Sequence, residues 1–76
     1  MKVAYTLIKK YDRYLELLCT YKSKKRAKKD LKKLVEETYN MGFIIKKYGP
    51  YYEVSNYLGN HEYDLYIQPT DYKGGA

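Results

Sequence analysis

Only one stretch of this chain, residues 23–40, spaces its apolar side chains for a helix; the stretches on either side alternate with period two. Ala27, Leu31, Leu34, Val35 and Thr38 fall within an arc about 100° wide, the usual core-facing stripe. Seventy-six residues make one domain with a thin core. A single helix covers one face of a sheet and no more. The pattern therefore predicts an α+β fold, β-β-α-β-β(-β), with one helix packed on an antiparallel sheet. The other face is left to polar side chains, tyrosine or a partner.

The alternation places strands over 2–10 and 15–21, close enough to form a hairpin. Leu15, Leu17, Cys19 and Tyr21 are expected to share one face, with Cys19 a small core residue. Ser23 is placed to cap the helix N-terminus and Gly42 to end it in a left-handed conformation. Further strands are expected over 43–48 and 51–57, either separate or one strand bent at Gly49-Pro50. The last covers 62–68, with Tyr63, Leu65 and Ile67 alternating against Asp64, Tyr66 and Gln68. Pro69 is expected to stop it, giving a domain over 1–69 and a flexible tail over 70–76.

Residues 22–33 hold eight basic side chains and one acidic one, a net of +7, whereas the whole chain carries +6. Positive charge concentrated in this way draws anionic partners. It also runs against the helix dipole: Lys24, Lys25 and Arg26 sit at the positive end, Glu36 and Glu37 toward the negative end. An arrangement poor for helix stability is good for collecting an anion at free backbone amides. The candidate anion- or partner-binding residues are Lys24, Lys25, Arg26, Lys28, Lys29, Lys32 and Lys33. Against this stands the reading of a lysine face that is merely solvated.

Tyrosine supplies 12 residues, with Phe43 the only Phe and no Trp. Tyr48, Tyr51, Tyr52, Tyr57 and Tyr66 form a possible contact surface, since tyrosine orders at little entropic cost and also stacks on bases. Residues 49–76 carry a net −3, which favours the helix over these strands for phosphate contact.

Catalysis has little support. His61 is the only His and Cys19 the only Cys, so neither a cysteine metal site nor an internal disulfide is expected, and no cofactor motif occurs. His61 reads as a turn residue without a role. A lone cysteine suits a reducing cytoplasm, and no apolar run approaches the roughly 18 residues of a membrane span.

The order strand, strand, Ser-capped basic helix and Tyr-rich strands resembles small uncharacterised phage proteins. The matching stretch is Tyr21-Lys22-Ser23-Lys24-Lys25-Arg26-Ala27 with the strands on either side. Members of that group often carry Glu in the first helical turn, where this chain has Lys. The resemblance implies a mobile-element origin, and with it the cytoplasm of a host cell; it transfers no site residues. The expected function is that of a small non-enzymatic binding protein, an inhibitor or adaptor of a host macromolecule. An alternative is a nucleic-acid-binding protein that contacts phosphates through its basic helix. A further alternative is an oligomer that sequesters an anionic nucleotide. The expected partners are a host protein or nucleic acid and no membrane. Self-association into a homo-oligomer through the sheet is also expected, since one helix leaves a sheet face bare.

Overall fold

A computed structural model describes the backbone of residues 2–72 and the side chains of residues 3–70. The described chain runs β1 (Lys2–Lys10), β2 (Leu15–Tyr21), α1 (Lys24–Asn40), β3 (Ile44–Tyr48), β4 (Tyr51–Ser55) and β5 (His61–Tyr72). The five strands form one antiparallel sheet in the order β2-β1-β5-β4-β3, with α1 on one face. The expected α+β architecture is the observed one.

The path of α1 follows from this order. It joins β2 to β3, the two outer strands. Seventeen residues at 1.5 Å each give about 25 Å, enough to cross four strand spacings of about 4.8 Å. The helix starts beside Tyr21, in the register of Tyr5 and Pro69. It ends before Ile44, in the register of Ser55 and His61. It therefore lies diagonally and leaves two corners of the covered face bare.

The helix stripe is the one the periodicity predicts: Ala27, Leu31 and Thr38 are buried, Leu34 and Val35 half-buried. Leu31, Leu34 and Val35 of this stripe pack with Leu7, Val54, Tyr63 and Leu65. Ser23 caps the helix by accepting a hydrogen bond from the Arg26 amide at 3.4 Å. Gly42, at φ +100°, turns the chain out of it. The Thr38 hydroxyl donates to the Leu34 carbonyl at 2.8 Å, which satisfies it inside the core.

Of the two readings of residues 43–57, separate strands hold, and several other expectations are corrected. β3 and β4 are two strands joined by Gly49-Pro50, with Gly49 at φ +59° as a two-residue hairpin needs. β4 ends at Ser55, because the Asn56 side-chain oxygen accepts from the amides of Leu58 and Asn60 and winds the next residues into a turn. Tyr57 lies in that turn rather than in a strand. Pro69 does not stop β5, which pairs with β1 as far as Tyr72. Beyond Tyr66 no β4 residue pairs with β5, so the missing amide of Pro69 can be accommodated on that free edge. The expected tail thus begins no earlier than residue 73, and residues 73–76 lie outside the described part. Leu15, Leu17, Cys19 and Tyr21 do not share a face. The register slips at Leu18, so Cys19 and Tyr21 pair with Leu7 and Tyr5 while Leu15 and Leu17 pair with Lys10 and Ile8. Cys19 is exposed on the outer strand and is no core residue. His61 opens β5.

Candidate anion-binding cleft

One bare corner of the covered face is a cleft of about 520 Å³ between the first half of α1 and the β3–β4 turn. Lys24, Lys28 and Lys32 line it at intervals of four residues, which places them on one flank of the helix at steps of about 6 Å. Lys47 faces them from β3, its Nζ 5.8 Å from the centre of the Tyr52 ring. Tyr5, Tyr52, Leu31, Ile67, Gly49, Pro50 and Pro69 complete the lining. No carboxylate is among these residues. Among the described side chains no lysine lies within ion-pair distance of a carboxylate either, since the ion pairs there are made by His61.

The corner is open because β4 begins only at Tyr51, opposite Tyr66, whereas β5 runs on to Tyr72. The tight Gly49-Pro50 turn ends the neighbouring hairpin there, and the helix crosses the sheet along the other diagonal. On its other flank Asp30 accepts a 2.7 Å hydrogen bond from the Tyr21 hydroxyl. Burial first, and that bond second, push the Tyr21 phenol well above its ordinary value, so it stays a donor. Asp30 is thus turned toward β2, away from the cleft lysines. The first helical turn contains no acidic residue and the last no basic one, so the adverse alignment with the dipole holds.

The seven basic candidates divide. Lys24, Lys28 and Lys32 line the cleft; Lys25, Arg26, Lys29 and Lys33 are exposed on the rest of the helix surface. The tyrosines divide as well. Tyr52 belongs to the cleft, Tyr57 is exposed in the turn after β4, and Tyr48, Tyr51 and Tyr66 stand together on the uncovered face. Sequence reasoning missed Lys47, Tyr5 and the two prolines as lining residues. Alternation in β1 and β3 already sets Tyr5 with Leu7 and Lys47 with Ile45; only the strand order brings them to one corner.

The diagonally opposite corner is filled. Tyr11 stacks on Tyr14 at 4.5 Å and meets Tyr63 at 5.5 Å, and Phe43 approaches Tyr63 at 6.4 Å. Lys9 lies 4.2 Å from the centre of the Tyr63 ring. Burial works against its charge, but the hydrogen bond to Tyr11 and the neighbouring phenols outweigh it and raise the ammonium pKa. Near this end His61 Nε2 bonds Asp64 Oδ1 at 2.9 Å, with Asp12 at 3.7 Å from Nδ1. The Asp64 bond is the main cause that raises the imidazole pKa, opposed by burial and helped by the charges of Asp64, Asp12 and Glu53.

Among the described residues no group of three or more His, Cys, Asp or Glu is placed to hold a metal ion, and no helix is long and apolar enough to cross a membrane. No family model, curated protein or solved structure matches this chain.

Proposed function

We infer that the chain is a non-enzymatic binding protein that holds single-stranded nucleic acid in the lysine-lined corner. The observation that carries this reading is convergence: three helix lysines and Lys47 meet over Tyr5 and Tyr52. Cationic side chains above aromatic rings suit a phosphate backbone with an unstacked base beneath it. Among the described residues no carboxylate, histidine or cysteine lines the cleft. It has charge to hold an anion and no acid–base pair to act on one. The outward lysines, Lys25, Lys29 and Lys33, extend the positive field beyond the cleft and would steer a long anion toward it. A protein-directed role, as inhibitor or adaptor of a host macromolecule, draws on the opposite sheet face. It stands second, because charges of both signs mix there.

Fluorescence anisotropy with a labelled oligothymidylate of about 12 nucleotides tests the reading. Affinity is expected to fall with salt at a log–log slope of about −0.7 per phosphate neutralised. The triple variant Lys24→Glu, Lys28→Glu, Lys32→Glu should lose binding. Lys25→Glu, Lys29→Glu, Lys33→Glu, with the same net charge, should retain part of it. Polyphosphate of matching charge should bind more weakly than the oligonucleotide, because it has no bases to stack. Absence of binding at about 50 mM salt, or equal losses in the two triple variants, removes the cleft from consideration.

A further inference from the structure

The uncovered sheet face carries an apolar band that crosses all five strands. Register places Tyr48, Tyr51, Tyr66, Ile8 and Leu17 side by side in the strand order β3-β4-β5-β1-β2. Tyr48 stacks on Tyr51 at 5.7 Å. The next row toward the His61 end reads Lys46, Glu53, Asp64, Lys10 and Leu15; the row on the other side holds Gln68, Thr6 and Thr20.

The band is uneven in a way that suits a copy of itself. At the β2 end Leu17 and Leu15 protrude, 67% and 51% exposed. On the other side of the β1–β5 seam, a depression of about 470 Å³ is lined by Tyr51, Tyr66, Lys10, Asp64 and Gln68 among others. A two-fold axis lying along that seam, between two stacked sheets, exchanges β1 with β5 and β2 with β4. It sets Leu17 of one chain against Tyr51 of the other and Lys10 against Asp64, with Ile8, only 4% exposed in the single chain, lying under its neighbours near the axis. Each contact occurs twice, as a two-fold interface requires. Packed sheets cross at about 30°, so these correspondences hold best near the axis.

The geometry points to a symmetric dimer in which this face is covered by a second copy of the chain, Leu17 of each entering the depression of the other. The two lysine clefts then lie on opposite outer faces of the dimer, away from the interface. The inference rests on the sheet face alone and stands or falls independently of what the clefts bind.

Sedimentation equilibrium over a concentration series, in nucleic-acid-free buffer, tests it. The expected species has twice the 9.1 kDa of one chain. Leu17→Lys should raise the dissociation constant by about tenfold or more, since both copies exchange an apolar contact with Tyr51 for a cation brought beside Lys10. Its monomer should keep the wild-type circular dichroism, because Leu17 is largely exposed in the single chain. In a Cys19→Ser background, Leu17→Cys with Tyr51→Cys should oxidise to a covalent dimer far faster than either cysteine alone. A monomer at every concentration overturns the inference and leaves the face to a partner of another kind. A dimer indifferent to Leu17→Lys, or one lacking the 17–51 cross-link, overturns it in favour of pairing through the open β2 or β3 edge.

Discussion

The two corners that the diagonal helix leaves bare are built from the same sheet and filled in opposite ways. At the β1–β2 turn, Tyr11, Tyr14 and Lys9 fold over Tyr63, and the corner is closed by rings and one paired cation. At the β3–β4 turn, Lys24, Lys28, Lys32 and Lys47 border a cleft with Tyr5 and Tyr52, and no described side chain closes it. A domain this thin gains from every apolar area it covers. The closed corner shows that this chain has the means to cover one. Like charges gathered around an open corner cost stability instead, and an anion bound there would offset that cost.

The largest effect separating the corners should come from their rings. Tyr63→Ala removes a side chain only 8% exposed and three aromatic or cationic neighbours with it; about 3–5 kcal/mol should be lost. Tyr52→Ala, half-buried beside solvent, should cost markedly less because no enclosed cavity remains. Urea denaturation of both variants measures this. Equal losses would mean that the β3–β4 corner is closed in solution, and the contrast between the corners would disappear.

How much of this was readable beforehand depends on the range of the signal. The helix stripe and the alternation of Tyr63, Leu65 and Ile67 are local, and both were legible. The slip at Leu18 was not: Leu15, Leu17 and Leu18 are all apolar, so either phase of the strand reads equally well. Continuation through Pro69 depends on β5 having a free edge there, a property of its neighbours. The cleft required the strand order, which sets Lys47 and Tyr52 opposite a helix flank some twenty residues earlier in the chain. The segment's charge was plain from the sequence. Its division between a cleft flank and an outer face followed only once Asp30 was found bonded to Tyr21.

A smaller effect, of opposite sign, should appear at the open corner. Lys24 sits in the first helical turn, against the dipole and near Lys28, with no carboxylate in reach among the described residues. Lys24→Glu relieves both conflicts and should raise stability by about 0.3–1 kcal/mol at low salt while weakening anion binding. The gain should shrink as salt screens it. A loss of stability would show that Lys24 already has a stabilising partner, and the corner could not then be called strained by its own charge.

The smallest expected effect concerns His61, which ties the start of β5 to the β1–β2 turn through Asp64 and Asp12. Its pKa in the folded chain lies above the ordinary 6.5, mainly because the protonated ring donates to Asp64. A group whose folded pKa is raised adds stability that is complete below the unfolded value. That increment fades as pH rises through the folded value. The Tm of the wild type should therefore decline from about pH 6.5 upward, relative to His61→Gln, whose side chain does not titrate. The difference should be about 1–2 °C, since the ring is 35% exposed and solvent screens the pair. Identical pH profiles would show that the imidazole contributes no charge to this end of the sheet. The closed corner would then rest on its aromatic rings and Lys9 alone. A change of the opposite sign, with Tm relative to His61→Gln rising as pH approaches 6.5 from below and level above it, would mean that burial outweighs Asp64 and that His61 is held neutral in the fold.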